Sequence, residues 1–369
     1  MAIERTIGVG GNYADIGIAN AAIYAYYAPA RVMTDDWILT IISDFTENTG
    51  CDANYVYYDG HYIEIRNPNK YVCTVAVVGG VPKLLRFYSR TVFPASAIND
   101  KMYFNDLIFN IPTINPGGGA LFLGFFPGNQ FTYATAFYNN CVFICGGYAP
   151  SPAARTSSLI GLEGSASQQW SNASISNCKF YNYGVAIGSS RIGADQIVTI
   201  ENCTVYDCYN GFNHDVAIPA TVDYNVRNLV VAGSENADYS SISATLANIN
   251  FINCADSDNT LNTAGGDLTD CVHNIVPADE FDSLDPANAR FLFLKIGAVT
   301  ADWTREPAGN VNVGDVIKFD PEVTITPGAT VLNDSGIAPT LEAVDITGQL
   351  IPNSQGEYPI GCHVQEYST

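Results

Sequence analysis

The sequence predicts an all-β chain, a single-stranded parallel β-helix with a capping helix before it and an irregular β-rich segment after it. Three observations predict it. A short word, Asn or Asp followed by three mostly apolar residues, recurs at steps of 35, 37, 25, 26, 20 and 22 residues between residues 105 and 272. Gly (32) and Asn (33) are abundant among 369 residues, which supplies many turns at positive φ. Helical periodicity is convincing only within the first thirty residues.

The opening Thr6-Ile7-Gly8-Val9-Gly10-Gly11 reads as a short strand and a glycine turn. Asn12 then stands as a helix N-cap with a carboxylate, Asp15, three residues on. Ile16, Ala19, Ile23 and Tyr26 follow at helical spacing, predicting a helix over 13–27 that Pro29 ends. The glycines lack the spacing and the lysine of a phosphate loop.

From Asp35 the pattern changes to strand words such as Trp37-Ile38-Leu39-Thr40-Ile41, Tyr62-Ile63-Glu64-Ile65 and Tyr71-Val72-Cys73-Thr74-Val75. The recurring word starts as Asn105-Asp106-Leu107-Ile108-Phe109. It returns at Asn140-Cys141-Val142-Phe143, Asn177-Cys178-Lys179-Phe180 and Asn202-Cys203-Thr204-Val205. Weaker copies are Asn228-Leu229-Val230-Val231, Asn248-Ile249-Asn250-Phe251 and Asp270-Cys271-Val272-His273. Strands of 3–5 residues are too short to stand alone, but stacking copies ~4.8 Å apart pairs every one of them. Inward Ile, Val, Phe and Cys then form columns, and a left-handed Asn turn repeats as a ladder. The two long steps predict extruded loops at 112–119 and 146–157. The boundaries are 1–34 for the strand and capping helix, 35–286 for the β-helix, and 287–369 for a segment that leaves the repeat and covers the far end. Strand words in that last part are Phe291-Leu292-Phe293-Leu294, Val316-Ile317-Lys318-Phe319 and Val323-Thr324-Ile325.

Charge excludes several classes. With 37 acidic and 16 basic residues the chain carries −21, which disfavours nucleic acid and anionic membrane surfaces. No apolar run spans a bilayer, and no signal peptide stands at the N-terminus, so the chain is expected to stay in a reducing cytosol. The ten cysteines form no C-x-x-C pair and have no histidine at zinc spacing. Cys141, Cys178, Cys203 and Cys271 share one place in the repeat and are read as a column of buried thiols. The lysine- and arginine-free stretch 256–289, with eight carboxylates, reads as a solvated acidic edge.

Groups with catalytic chemistry on the central repeats are Arg191, Asp195, Asp207, His214, Asp215, Asp223 and Arg227. His214-Asp215, after Gly211-Phe212-Asn213, suggests an exposed turn. No carboxylate pair recurs at the spacing that glycoside hydrolysis needs, and no Gly-x-Ser-x-Gly elbow occurs. These residues are therefore read as turn and surface groups, with no catalytic, cofactor or metal residue assigned.

The repeat, the opening Ile7-Gly8-Val9-Gly10-Gly11-Asn12-Tyr13 and the ending Asp345-Ile346-Thr347-Gly348-Gln349 with Tyr358-Pro359-Ile360-Gly361-Cys362 resemble one family. It is the pectin-lyase-like right-handed parallel β-helix proteins, especially those of tailed bacteriophages. The resemblance implies a right-handed coil and a virion location, assembled in the host cytoplasm. It implies phage capsid or tail proteins as partners, and a homotrimer. The implied function is a non-enzymatic capsid decoration (cement) protein. The alternative is a receptor-binding tailspike or tail fibre that recognises host surface glycan through residues such as Trp170 and Trp303, with or without cleaving it. A cap that begins by residue 6 leaves no separate attachment domain ahead of it, which favours decoration. Aromatic words outside obvious core places, Tyr55-Val56-Tyr57-Tyr58 and Phe122-Leu123-Gly124-Phe125-Phe126, are the expected trimer surface.

Overall fold

In Tyr62-Ile63-Glu64-Ile65-Arg66 every second side chain is apolar, and strand geometry sends neighbours to opposite faces. The computed structural model accordingly buries Ile63 and Ile65 and leaves the other three half-exposed. It describes residues 2–51, 55–89, 99–113, 121–127, 133–147, 158–161, 170–189, 196–214, 222–241, 248–281, 283–288 and 291–292. The strand words at 316–319 and 323–325, the closing motif, and Arg191, Asp195, Asp215, Trp303 and Cys362 lie outside the described residues, as do most of the two predicted loops.

Among the described residues strands dominate, in parallel sheets of ten, eight and seven, beside one antiparallel pair, Val77–Val78 with Val81–Pro82. From Asp36–Ile41 on, and apart from that antiparallel pair, consecutive strands lie in different sheets. Tyr133–Asn139 belongs to the ten-stranded sheet, Val142–Cys145 to the eight-stranded and Ser158–Gly161 to the seven-stranded. Trp170–Ser176 then returns to the first sheet, directly beside Tyr133–Asn139. This stepping is compatible with a parallel β-helix. Each coil alone buries little, and the neighbouring coil completes its core.

Register turns the repeat into columns. In the ten-stranded sheet Leu39, Ile65, Phe104, Tyr138, Ile175, Ile200, Val226 and Phe251 stand in successive register, all buried. In the eight-stranded sheet the inward column is Phe45, Cys73, Phe109, Phe143, Phe180, Val205 and Val231. Phe109, Phe143 and Phe180 stack in parallel, with centroids 5.4 and 5.1 Å apart.

The corner between these two sheets is the recurring word. Asp106, Asn140, Asn177, Asn202, Asn228, Asn253 and Asp270 all sit at φ between 50° and 61°, a region that Asn and Asp tolerate better than other side-chain-bearing residues. The amide of each of the first six donates to the carbonyl that precedes the corner of the next coil, as in Asn177 to Glu201 and Asn202 to Arg227. Two corrections follow. The first word begins at Asp106, one residue later than the reading from Asn105. The copy at Asn248 is a false one: Asn250–Ile252 is a strand of the ten-stranded sheet, and the true corner is Asn253-Cys254-Ala255-Asp256. The eye follows Phe251, but there an Asp occupies the place where earlier words carry Phe or Val.

Behind each corner Leu107, Cys141, Cys178, Cys203, Leu229, Cys254 and Cys271 are buried in sequence, so the thiol column includes Cys254 and is interrupted by Leu229. All nine described cysteines are buried, and none is in a disulfide. Asn228 Nδ2 donates to Asn202 Oδ1 at 2.9 Å, one step of the expected asparagine ladder. Asn228→Ala should cost about 2–4 kcal/mol, from left-handed strain and an orphaned buried partner. Asn228→Gly should recover the strain part alone. Urea midpoints of the two variants check this.

The helix spans Ile16–Tyr26, and its N-cap is Asp15 rather than Asn12: the Asp15 side chain accepts from the Ile18 amide at 2.7 Å. Asn12 instead accepts from the Thr6 amide and hydroxyl. Ile16, Ala19 and Ile23 enter the same core as the strands. Gly17 lies so close to the backbone of Gly50 that a Cβ would meet its carbonyl oxygen at 2.4 Å.

The last sheet strand among the described residues is Asp267–Thr269. The described residues between 272 and 292 then fold back over the outer side of the eight-stranded sheet. There Ile275, Phe281, Phe291 and Leu292 pack with Val230, Ala232 and Ala255, against Tyr181 and Tyr206. The end of the inward column is polar: Asp256 follows Val231 in register, and its carboxylate takes the amides of Leu261 and Asn274 and meets His273 Nδ1 at 3.1 Å. Asp256 and Glu280 are thus buried, unlike the solvated edge expected of this stretch; Asp258, Asp267, Asp279 and Asp285 are exposed.

Candidate functional site

The structure does not gather the described residues singled out for their chemistry. His214 is the clearest correction. It stands in the strand Asn210–His214, fully buried and facing inward with Phe212, not on an exposed turn. Its Nε2 lies 2.9 Å from the Tyr224 hydroxyl, and Phe212 and Tyr224 crowd its ring. Alternation explains this: Phe212 faces the core, so the residue two further on does too. Burial lowers its pKa to about 3, which keeps the ring neutral.

That shift has a readable sign. The unfolded imidazole takes up a proton near pH 6.5 and the folded one does not, so stability present above pH 6.5 is lost as the pH falls towards 3. Asp238, pushed up to about 6 by burial and then by Asp258, acts in the opposite direction over part of that range. His214→Leu should therefore gain on the parent by a few kcal/mol between pH 6.5 and pH 4. Urea midpoints at four pH values would show it; a constant difference between the two proteins would mean that the buried ring already carries a proton.

Asp207 occupies a left-handed turn, and burial raises its carboxyl pKa while a bond to the Tyr181 side chain opposes this. Asp223 is exposed on the outer side of the ten-stranded sheet and accepts from Asn225 Nδ2. Arg227, two outward positions along the same strand, stands 4.0 Å from the buried Glu201. His214 is thus inside, Asp207 at a corner, and Asp223 and Arg227 are spread along one strand. Among the described residues no cluster of three or more His, Cys, Asp or Glu is placed to hold a metal ion.

What the fold does assemble is an outer surface on the first coils of the ten-stranded sheet. Parallel register places Glu64, Tyr103 and Phe137 in one outward column and Tyr62 and Lys101 in the next. Tyr103 and Phe137 stack at 4.7 Å, and Tyr62 meets Tyr103 edge-on at 5.4 Å. Polar groups surround the rings. Asn105 Nδ2 donates to Glu64 at 2.9 Å, Arg66 Nε donates to Thr40 at 3.0 Å, and His61 Nδ1 lies 3.1 Å from Asp36. Partial burial, and then the charge of neighbouring acidic groups, raises the phenol pKa of Tyr62, so it stays a neutral donor. Further along the same face the rings give way to amides, with Asn250 donating to Asn225 and Asn225 to Asp223. Such a surface can bind: it offers ring edges, amides and both signs of charge, held rigidly by the sheet. The alternation in Tyr62-Ile63-Glu64-Ile65-Arg66 signals outward side chains, but only register shows that Tyr103 and Phe137 join them.

Most of the described side chains in the aromatic words expected at a trimer surface belong to the core. Val56, Tyr58, Phe122, Leu123 and Phe125 are buried in the core, Leu123 and Phe125 in register with the buried Leu85 and Phe87. The side chain of Trp170 is not among those described. Among the described residues no helix is long and apolar enough to cross a membrane. Comparison with family models, with curated proteins and with solved structures matches this chain to none of them.

Proposed function

We propose that the chain is a right-handed parallel β-helix, capped at its start by the helix Ile16–Tyr26, that serves as a non-enzymatic surface protein of a bacteriophage particle. Its place in this reading is the capsid exterior, as a decoration protein. The observation that carries it is the rigid outer face of the ten-stranded sheet, whose aromatic and amide columns run across coils and offer a long binding surface rather than a cleft. A net charge of −21 supports it, since that charge keeps the protein off the packaged genome. The family resemblance of the repeat supplies the phage setting. In this reading the protein is a homotrimer, and its contacts fall on outer sheet faces, since the aromatic words at 55–58 and 122–126 contribute mainly to the core.

A second reading is favoured by one feature. Tyr62, Tyr103 and Phe137 beside Glu64 and Asn105 offer aromatic edges and hydrogen-bonding groups together, which is how a glycan is held. On that reading the protein is a tailspike or tail-fibre component that binds host surface polysaccharide.

One experiment separates the two. The protein is incubated with undecorated capsids and, separately, with host surface polysaccharide. Saturable capsid binding without shortening of the glycan supports the decoration reading. Glycan binding lost on Tyr103→Ala, without capsid binding, supports the second. Shortened glycan, lost on Asp215→Asn or Asp207→Asn, overturns both non-enzymatic readings.

A further inference from the structure

The thiols behind the corners fall into two groups. Cys141, Cys178 and Cys203 follow one another on coils that have described coils on both sides, and Leu229 then interrupts the run. Cys254 and Cys271 come after that break, as a separate pair behind the last two corners. Their backbones are in direct register: Ala255 bridges to Val272, and the Val272 amide donates to the Cys254 carbonyl at 2.8 Å. Neighbouring strands lie ~4.8 Å apart, inside the ~4.4–6.8 Å between Cα atoms that a disulfide spans. The two side chains are within hydrogen-bonding reach of each other. Each sulfur also has backbone acceptors. Cys254 Sγ lies 3.5 Å from the Val226 carbonyl and 3.6 Å from that of Ile252, and Cys271 Sγ lies 3.6 Å from those of Phe251 and Thr269.

Position separates this pair from the others. Asp267–Thr269, the strand that leads into Cys271, has a described neighbour on one side only, and none of its three residues is buried. Opening that coil breaks one set of bonds between coils, whereas opening an inner coil breaks two. Local opening is therefore easiest at this end of the stack. Burial, and then the bond with Cys271, push the Cys254 thiol pKa up. The closed coil is accordingly inert, and reaction waits for the opening.

We infer that Cys254 and Cys271 are a redox-sensitive staple: a disulfide between them locks the last coil onto its neighbour when the protein passes from a reducing to an oxidising medium. The oxidant is a small soluble disulfide such as oxidised glutathione. In the opened coil the Cys271 thiol gives its proton to water, and its thiolate attacks one glutathione sulfur. The glutathione S–S bond breaks, a mixed disulfide forms, and one glutathione thiolate leaves. Cys254, uncovered by the same opening, loses its proton and attacks the Cys271 sulfur, which releases the second glutathione thiolate. The two released thiolates take up the two protons. One glutathione disulfide is thus reduced to two thiols while two protein thiols are oxidised to one disulfide. The link closes the loop 254–271 and ties down an end of the stack whose strand edge is otherwise unpaired among the described residues. Leu229 leaves Cys254 with Cys271 as its one neighbour in the column, so the pairing is unambiguous.

Thiol mapping of the full-length chain tests this, with Cys362→Ser to remove the cysteine outside the described set. The native protein is held in buffers of rising oxidised-to-reduced glutathione ratio, quenched with acid and unfolded, and its remaining thiols are alkylated. One linked peptide is expected, Cys254 to Cys271 within one molecule, lighter by two hydrogens. Cys141, Cys178 and Cys203 should be recovered as alkylated thiols. A second measurement reads the lock itself: deuterium exchange at the Val272 amide should slow roughly tenfold on oxidation and recover on reduction. With Cys254→Ala the exchange should not respond to the oxidant. Free thiols at both positions at the most oxidising ratio, with an unchanged circular dichroism spectrum, would overturn the inference. So would equal pairing among Cys141, Cys178 and Cys203, a link formed only between two molecules, or a link that leaves the Val272 exchange unchanged.

Discussion

Glu47→Ala is expected to cost about 4 kcal/mol at pH 5, by the removal of one acceptor from four amides, those of Ile16 and Gly17 buried and those of Thr49 and Gly50 only partly so. The Glu47 carboxylate takes the Ile16 and Gly17 amides at 2.8 and 3.3 Å, and the Thr49 and Gly50 amides at 3.2 and 2.7 Å. The first two are first-turn donors that no helical carbonyl can satisfy. The third such donor, Ile18, goes to Asp15, whose other oxygen takes the Thr49 hydroxyl at 2.8 Å. One buried carboxylate therefore ties the helix start to the turn at 48–50. Burial, opposed by the Gly50 amide and reinforced by Asp15, pushes the Glu47 pKa up to about 7. A folded pKa above the unfolded one means that the stability contributed by this group is full below about pH 4.5 and is lost as the pH rises through 7. The cost of Glu47→Ala should accordingly be smaller at pH 8.5 than at pH 5. Denaturant midpoints at the two pH values check both the size and the sign; a cost that grows with pH would show that the amides hold the group ionised.

Phe143→Ala should cost about 3–5 kcal/mol, the range for a buried phenylalanine that leaves a cavity. The ring stacks between Phe109 and Phe180 and takes the edge of Phe122 at 6.4 Å, all fully buried. In stacked repeats each unit gains its stability from its neighbours, so a gap in the middle weakens the coupling between the two halves. Unfolding of the variant should therefore broaden or split into two transitions. Phe143→Leu, which keeps most of the volume, should retain a single transition with a loss under ~1.5 kcal/mol. Calorimetry of the two variants distinguishes local decoupling from uniform destabilisation.

Most of the architecture is legible in particular residues. The corner asparagines announce the repeat because few other residues tolerate left-handed backbone there, and Cys141, Cys178 and Cys203 announce an inward column because they recur behind those corners. Misreadings arise where a coil departs from the word. The pattern at 248–251 imitates it, whereas the true corner at Asn253 carries Asp256 in place of an aromatic. His214 misleads for a related reason: a histidine in a Gly/Asn-rich stretch reads as a turn, whereas it stands in a strand two residues after the inward Phe212 and pairs with Tyr224 in the core.

The surface features are of another kind. Alternation tells that Tyr62, Glu64 and Arg66 share a side, because side-chain direction along a strand is a local property. Whether Tyr103 and Phe137 stand beside them depends on the register of strands about 35 residues apart, which no single strand encodes. The Glu47 cradle joins a turn to a helix 30 residues earlier, and Lys179 meets a carbonyl 112 residues later. By itself, then, the sequence determined the coil-by-coil strand pattern, the corner geometry and the inward columns, since these follow from residue type and short-range spacing. Only the tertiary structure decided which buried charges find partners, which aromatics meet on the outer face, and where the chain turns back over its own sheet. Those contacts join residues far apart in sequence, and stacking alone brings them within bonding distance.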